Sequence, residues 1–411
     1  MVINRCTDTR RALGFTEFIS LLAMMISLVA MSIDAMIPAL WQIGRDLAVQ
    51  RDNSTQLIIS LFILGIAVGQ MVYGPLSDRT GRRPAAFAGF GLFLVGCLLS
   101  LAAVNFPMML AGRVIQGFGL AGPRVVAMAI IRDQYEGRAM ARVMSFIMAV
   151  FIVVPAIAPA LGQAILMISG WRAIFGVILF LSLAIATWFA MRQPETLAPQ
   201  HRIPFTLRRA GMVFREICAI REALGYTVAA GVIFGAFQGY LNSAQQVLQI
   251  QYRRGEWSPV YYAALALSVG GASLMNSRLV MRYGMRSLTR RSSQYLGWIS
   301  VFFLVVAYML KGQPPLWALM AYLISSFFCL GLLFGNLNAL AMRPLGHIAG
   351  SGAAMVGSFS ILLAVPLGIL IGQAYDGTIL PLVGGFALLG STSAIIIRKT
   401  ENWVPRAPEG R

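Results

Sequence analysis

Twelve apolar runs of membrane-spanning length divide this 411-residue chain, and no other feature constrains its fold as much. Hydrocarbon offers a backbone amide no hydrogen-bond partner, so a run of about 20 apolar residues crosses a bilayer as a helix. The runs are Phe18–Leu40, Gln56–Tyr73, Ala85–Val104, Phe106–Ile131, Met144–Ile168 and Trp171–Met191, then Tyr226–Gln249, Val260–Val280, Tyr295–Leu310, Leu316–Leu340, Gly350–Gln373 and Ile379–Ile397. Charged residues make up 12% of the chain, about half their share in soluble domains. The expected class is an all-α integral membrane protein with twelve transmembrane helices. The first run is too long for a signal-peptide core and has no small-residue cleavage site after it, so it reads as a retained helix.

A net charge of +18 points first to nucleic acid, but its distribution points to a membrane. With the N-terminus in the cytoplasm, most of the 33 basic residues fall in the tails, the central linker and the alternate loops on one face. Arg45, Arg51, Arg172, Arg253, Arg254 and Lys311 fall on the other face, and Arg113 and Arg124 inside a run. Basic loops resist translocation, so the rich face and both termini are expected in the cytoplasm. The partner of that charge is then the anionic lipid bilayer surface rather than nucleic acid. The longest polar interruption, 192–222, holds Pro194, Pro199, Pro204 and six arginines. It divides the chain into expected six-helix bundles at 1–191 and 223–411, and Arg208–Arg221 reads as a basic amphipathic helix on the membrane. Halves related by an internal repeat would carry a binding site at their interface. Cys6, Cys97, Cys218 and Cys329 fall in cytoplasmic or membrane segments, where no disulfide framework is expected. Motifs for a metal, a cofactor or catalysis are lacking, and the two histidines, His201 and His347, sit in loops.

Between the second and third runs stands Gly74-Pro75-Leu76-Ser77-Asp78-Arg79-Thr80-Gly81-Arg82-Arg83, a short basic turn with a central acid. Asn276–Gly284 looks like a worn copy of it, with Gly284 matching Gly81 and Met281 in place of Asp78, against the plainer reading of a basic cytoplasmic loop. Asp34 is an acid in the outer half of the first run, read as a proton carrier, a cation site or a helix-end acid near water. Arg113 lies at a similar depth in the fourth run, so the two are expected to pair directly or through water. Glu17 and Arg124 form a second possible couple near the inner face, against the plainer reading that both reach the interface. Gln70 and Gln116 are polar groups in apolar runs. Gln238, Asn242, Gln245 and Gln246 recur at steps of three and four, which puts them on one face and suggests a wet cavity. Phe237, Tyr240 and Met36 are candidate apolar contacts. Gly65 and Gly69, Gly231, Gly235 and Gly239, and Gly368 and Gly372 are spaced for close helix packing.

These motifs resemble those of the major facilitator superfamily, in its drug/proton antiporters and especially the bicyclomycin- and chloramphenicol-resistance branch. The resemblance is carried by Ser32–Leu40 with Asp34, Gly65–Pro84, Arg113–Gly117, Arg132-Asp133-Gln134-Tyr135 and Pro155–Gly162. It implies proton-coupled export of drug-like small molecules by alternating access across a bacterial inner membrane, by a monomer without cofactor. The alternatives are a metabolite exporter or an uncoupled facilitator. Asp34 would couple to proton or substrate, and Arg113 would relay the proton. Gly74, Asp78, Arg79, Gly81, Arg82 and Arg83 would form a gating loop, with Asp78 capping helix eleven near Ser351. Pro155, Pro159 and Gly162 match the helix-five motif, but Gln163 stands where a paired glycine is usual. Arg124 stands where small residues are usual.

Overall fold

A computed structural model of the chain describes residues 13–202, 207–254 and 257–403. Cys6, the tail residues Arg5, Arg10, Arg11, Arg406 and Arg411, and Pro204 of the linker lie outside them. The first helices are Phe15–Asp34 (α1), Leu57–Thr80 (α2), Arg82–Leu101 (α3) and Phe106–Gln134 (α4). The helical stretch Gly137–Arg192 comes next; unbroken it would run roughly 84 Å, far more than a bilayer. Gly170, at φ 75° and ψ 177°, breaks it into α5 (137–169) and α6 (171–192). A linker with the helix Leu207–Ala219 leads to Arg221–Gln245 (α7), Ser258–Tyr283 (α8) and Met285–Met309 (α9). The last three are Leu316–Met342 (α10), Ala349–Gln373 (α11) and Leu380–Trp403 (α12). Eleven segments among the described residues are long and apolar enough to span a bilayer, and the break at Gly170 makes the passes twelve.

The helices form two six-helix bundles. Lipid tails are as apolar as leucine, so helices here associate through close contact of backbones. Gly69 of α2 has Phe118 and Ala121 of α4 so near that a Cβ would lie 2.6 Å from both. Gly89 of α3 meets Gly119, Gly122 and Pro123 of α4 in the same way. In the second bundle, Gly231, Gly235 and Gly239 of α7 seat Leu363, Leu367 and Ile371 of α11. The glycine spacings read from the sequence are thus helix contacts. The outline repeat is also visible: α2 turns into α3 at Gly81 (φ 106°), and α8 turns into α9 at Gly284 (φ 76°).

The bundles meet through α2 with α11 and through the α5–α6 hairpin with α8. At the end remote from the basic Gly81 turn, called the far end below, they are tied by neutral side chains. Asn53 donates to the carbonyls of Gln373 (3.0 Å) and Tyr375 (2.9 Å), and Gln373 donates back to the Asn53 carbonyl (2.9 Å). Gln246 donates to Asn53 Oδ1 (2.7 Å) and accepts from Gln56, and Ser60 donates to Asn242 (3.0 Å). This conformation is closed at its far end.

Candidate transport site

The predicted first run breaks where its acid stands. Helix α1 stops at Asp34, the chain turns, and a 3₁₀ turn at Ile37–Ala39 containing Pro38 leads to the short helix Leu40–Asp46. The break has room because α5 places Gly162 behind it: any Cβ there would collide with the Ala35 carbonyl oxygen. The helix-five glycine therefore shapes the backbone that carries Asp34. Asp34 is half-buried and has no hydrogen bond or ion pair among the described residues. It also sits at a helix C-terminus, where the dipole disfavours negative charge.

Asp34 ends a stripe. Between Phe18 and Ala30 only Ser20 and Met24 keep partial exposure, and Met31 and Asp34 continue that flank at steps of three and four. Ser27 completes it, with a buried hydroxyl that has no partner. From Phe18 to Ser32 the helix is otherwise covered by protein, as a central helix is, so this stripe faces the space between the bundles. Across that space Tyr240 of α7 lies within electrostatic range of Asp34. Tyr240 stacks edge-on against Phe327 of α10 at 4.7 Å, and Phe237 packs on Phe327 and Phe334 at 5.7 and 5.6 Å. Phe237 and Tyr240 are thus parts of an aromatic wall in the second bundle, and Met36 is fully buried.

The Asp34–Arg113 pair expected from matched depth is not made in this conformation. Arg113, fully buried, gives its donors to the carbonyls of Ile58 and Ser32 (both 2.9 Å) and to Gln116 Oε1 (2.7 Å). Its guanidinium also lies 4.3 Å from the Phe62 ring centre. Gln116 is held in turn by Gly96 O and Ser100 Oγ (3.0 and 2.9 Å). Depth along a helix fixes level but not bearing, and Arg113 bears on the α1 backbone two residues before the acid.

The Glu17–Arg124 couple is replaced by another. Glu17 accepts two bonds from Arg192 at the end of α6 (2.6 and 2.7 Å) and one from Trp188 (3.2 Å). A flexible arginine at the bundle edge brings a fork to Glu17 that Arg124, deep in α4, does not. Arg124 is half-buried and makes no hydrogen bond or ion pair among the described residues. The polar face of α7 is also corrected. Gln238 and Asn242 are buried and bond each other (3.3 Å), with Gln238 packed on Gly368. Asn242 and Gln246 belong to the far-end ties. Gln245 instead lines a far-end recess of about 380 Å³ with Trp41, Arg45 and Gln249. Side chains that share one helix face can be used by a facing helix as readily as by water. Gln70 is buried with its oxygen beside Gly357 of α11 and its Nε2 unpartnered.

At the basic end the turn is a charge cluster. Arg82 bonds Asp78 (2.5 Å), Asp133 (2.8 and 3.2 Å) and Ser77 (2.9 Å). Glu195 of the linker accepts from the backbone N–H groups of Arg82 and Arg83 (2.8 and 3.0 Å), capping the positive start of α3. Arg83 reaches Ala190 O (2.8 Å), and Arg79 is exposed. Gly74 faces Ala354 of α11, where a Cβ would sit at 3.6 Å. Asp78 is therefore engaged within its own turn, and the side chain of Ser351 is outside the described set. Asp133 and Glu195 are functional candidates that sequence reasoning missed; Asp133 lay inside a quoted motif, while Glu195 carried no signal. Pro155 and Pro159 lie inside the helical stretch.

Residues 20–369 match the family model described as Major Facilitator Superfamily. The chain belongs to that superfamily of membrane transporters. Within the Major Facilitator Superfamily it is 28% identical over 378 residues to "Uncharacterized MFS-type transporter YdgK" of Bacillus subtilis, covering 90% of this chain and 91% of that one. It is 26% identical to the "Bicyclomycin resistance protein homolog" of Haemophilus influenzae, over 89% of this chain and 91% of the relative. It is also 26% identical to "Multidrug resistance protein D" of Escherichia coli, over 82% and 85%. The structure of the human organic anion transporter MFSD10 superposes with a TM-score of 0.67, covering 95% of this chain and 99% of that one, at 14% identity. That likeness concerns the fold alone.

Proposed function

We propose that this protein exports drug-like small molecules in exchange for protons, as a monomer in a bacterial inner membrane with both termini in the cytoplasm. The bundles 1–191 and 223–411, joined by the linker 192–222, rock about their interface and open the site to each side in turn. One observation carries the reading: among the described residues Asp34 is an unpartnered acid at a helix break, at the end of a partly exposed stripe of α1. A carboxylate in that position needs a cation, and a proton or a basic group of the substrate supplies it. The aromatic wall of Phe237, Tyr240, Phe327 and Phe334 opposite suits a planar apolar body. Arg113 positions Asp34 by holding the Ser32 carbonyl.

The relatives named for bicyclomycin and multidrug resistance support export of drugs, and the basic Gly81 end supports a cytoplasmic assignment for that face. With that orientation, the neutral ties at the far end close the site to the outside. The test is ethidium accumulation in everted vesicles under an imposed pH gradient. Accumulation should collapse with the gradient. Accumulation that ignores the gradient would identify an uncoupled facilitator instead.

A further inference from the structure

We propose that Arg124 is an anion-binding subsite that takes the carboxylate of an acidic or zwitterionic substrate, with Gln70 as a second donor. The proposal rests on the transport reading above, because it names a substrate class for the space between the bundles.

Arg124 is a cation without a counter-ion among the described residues, and five acids near that end are already held by arginines other than Arg124. Among the described residues, Glu17 is held by Arg192, Asp78 and Asp133 by Arg82, Glu222 by Arg286 and Glu401 by Arg290. The unpaired acid on the facing helix is Asp34, which is out of reach. Antiparallel α1 and α4 meet where Arg113 bonds the Ser32 carbonyl, and Arg124 stands three turns, ~16 Å, further along α4. Nor does Arg124 reach the basic-end surface. It is ten residues, ~15 Å, short of the end of α4 at Gln134, and side chains on a helix lean toward its N-terminus, here the far end.

Its bearing is toward the space between the bundles. Eleven residues return to the same face of a helix, so Arg124 shares the face by which Arg113 meets α1. Toward the basic end one flank of that face opens, with Val125 half-buried and Met128 exposed, while Ile131 on the face itself and Ala127 and Ile130 on the other flank are buried. The lean of the side chain brings the guanidinium toward the level of Gln70. Gly69 packs on Ala121, and Tyr73 on Gly122, which fixes the register of α2 against α4. Gln70 has its oxygen at Gly357 of the other bundle and its NH₂ donor unused. Two unused donors from two helices, with no free acid at their level, make a receptor for an oxyanion. An arginine in a membrane keeps its charge, so an anion rather than deprotonation must balance it. Its planar fork matches a carboxylate in a bidentate pair.

The test compares dansylglycine, its methyl ester and ethidium on the full chain. Binding is measured by fluorescence on purified protein, and transport in phosphatidylcholine proteoliposomes under a pH gradient. Wild type should bind dansylglycine at least tenfold more tightly than the ester, about 1.4 kcal/mol. Arg124→Met should remove that preference and leave ethidium transport within twofold. The variant deletes an unpaired buried charge, so its thermal midpoint should equal or exceed that of wild type. Absence of a carboxylate–ester preference in wild type, or its survival in Arg124→Met, overturns the proposal. A lowered midpoint with uniform loss of all three probes also overturns it, by assigning Arg124 a structural task. Added phosphatidylglycerol that abolishes the preference would give the subsite to a lipid headgroup and overturn the substrate reading. Gln70→Leu should weaken dansylglycine several-fold with ethidium unchanged. Carboxylate binding that depends on Arg124, without gradient-driven transport of any probe, would sink the proton-coupled reading and leave the subsite standing.

Discussion

Asp34 and Arg113 show how two charges at one depth come to different tasks. Arg113 is saturated by carbonyls from α1 and α2 and by Gln116, so it works as a clamp across helices. Asp34 is left open, so it can exchange a partner. Asp34→Asn should abolish gradient-driven ethidium export while surface expression stays near wild type, because the change removes an unpaired charge rather than a bond. Retained coupling in vesicles carrying the asparagine variant would remove Asp34 from the proton path. Arg113→Lys should instead lower stability: an ammonium cannot hold three fixed partners in a plane, and each lost charged bond is worth ~1.5–3 kcal/mol. Thermal unfolding in detergent checks this, and an unchanged midpoint would contradict the clamp. Both residue types were legible in the sequence. Their separation was not, because it depends on which way each side chain faces.

At the scale of elements, two glycines set local geometry that a side chain would spoil. Gly162 of α5 touches the Ala35 carbonyl at the break after Asp34. Gly162→Val should displace that break and lower export at least tenfold, more than it lowers the thermal midpoint. Purified variant protein with normal turnover would mean that the break tolerates displacement. Gly81 has φ 106° and ψ 164°, a region used almost only by glycine, and its Cβ would lie 2.6 Å from Glu195 Oε2. Gly81→Ala should therefore cost ~1–3 kcal/mol. Gly91, helical with nothing within 4 Å of a Cβ, is the control and should tolerate alanine. Similar midpoints for the two variants would argue against strain at the turn. The sequence placed both glycines in motifs, but the collision partners Ala35 and Glu195 come from other elements and carry no local mark.

For the whole molecule, the far-end ties hold one member of an open–closed pair. Asn53 supplies two donors, a side-chain acceptor and a backbone acceptor to the other bundle. Asn53→Ala removes the side-chain bonds, each worth ~0.5–1.5 kcal/mol net. A loss of about 3 kcal/mol shifts an open–closed ratio by roughly two orders of magnitude. Spin labels at the exposed positions 51 and 376 should show a longer far-end distance in the variant. An unchanged distribution in folded protein would mean that apolar contacts of α2 with α11 are sufficient for closure.

Membrane passes, their helical state and the basic turn at Gly81 followed from the amino-acid sequence alone. Each depends on a property local to the chain: apolar length against bilayer thickness, the lack of backbone partners in lipid, and a glycine at a sharp turn. The polar residues inside the helices were also visible as anomalies. Which of them meet was decided only by tertiary structure. Glu17 finds Arg192 and leaves Arg124, Asn242 finds Ser60, and Arg113 finds backbone carbonyls. A hydrogen bond is satisfied by whichever donor or acceptor the packed helices bring within about 3 Å, and the rotation of one helix against another sets that distance.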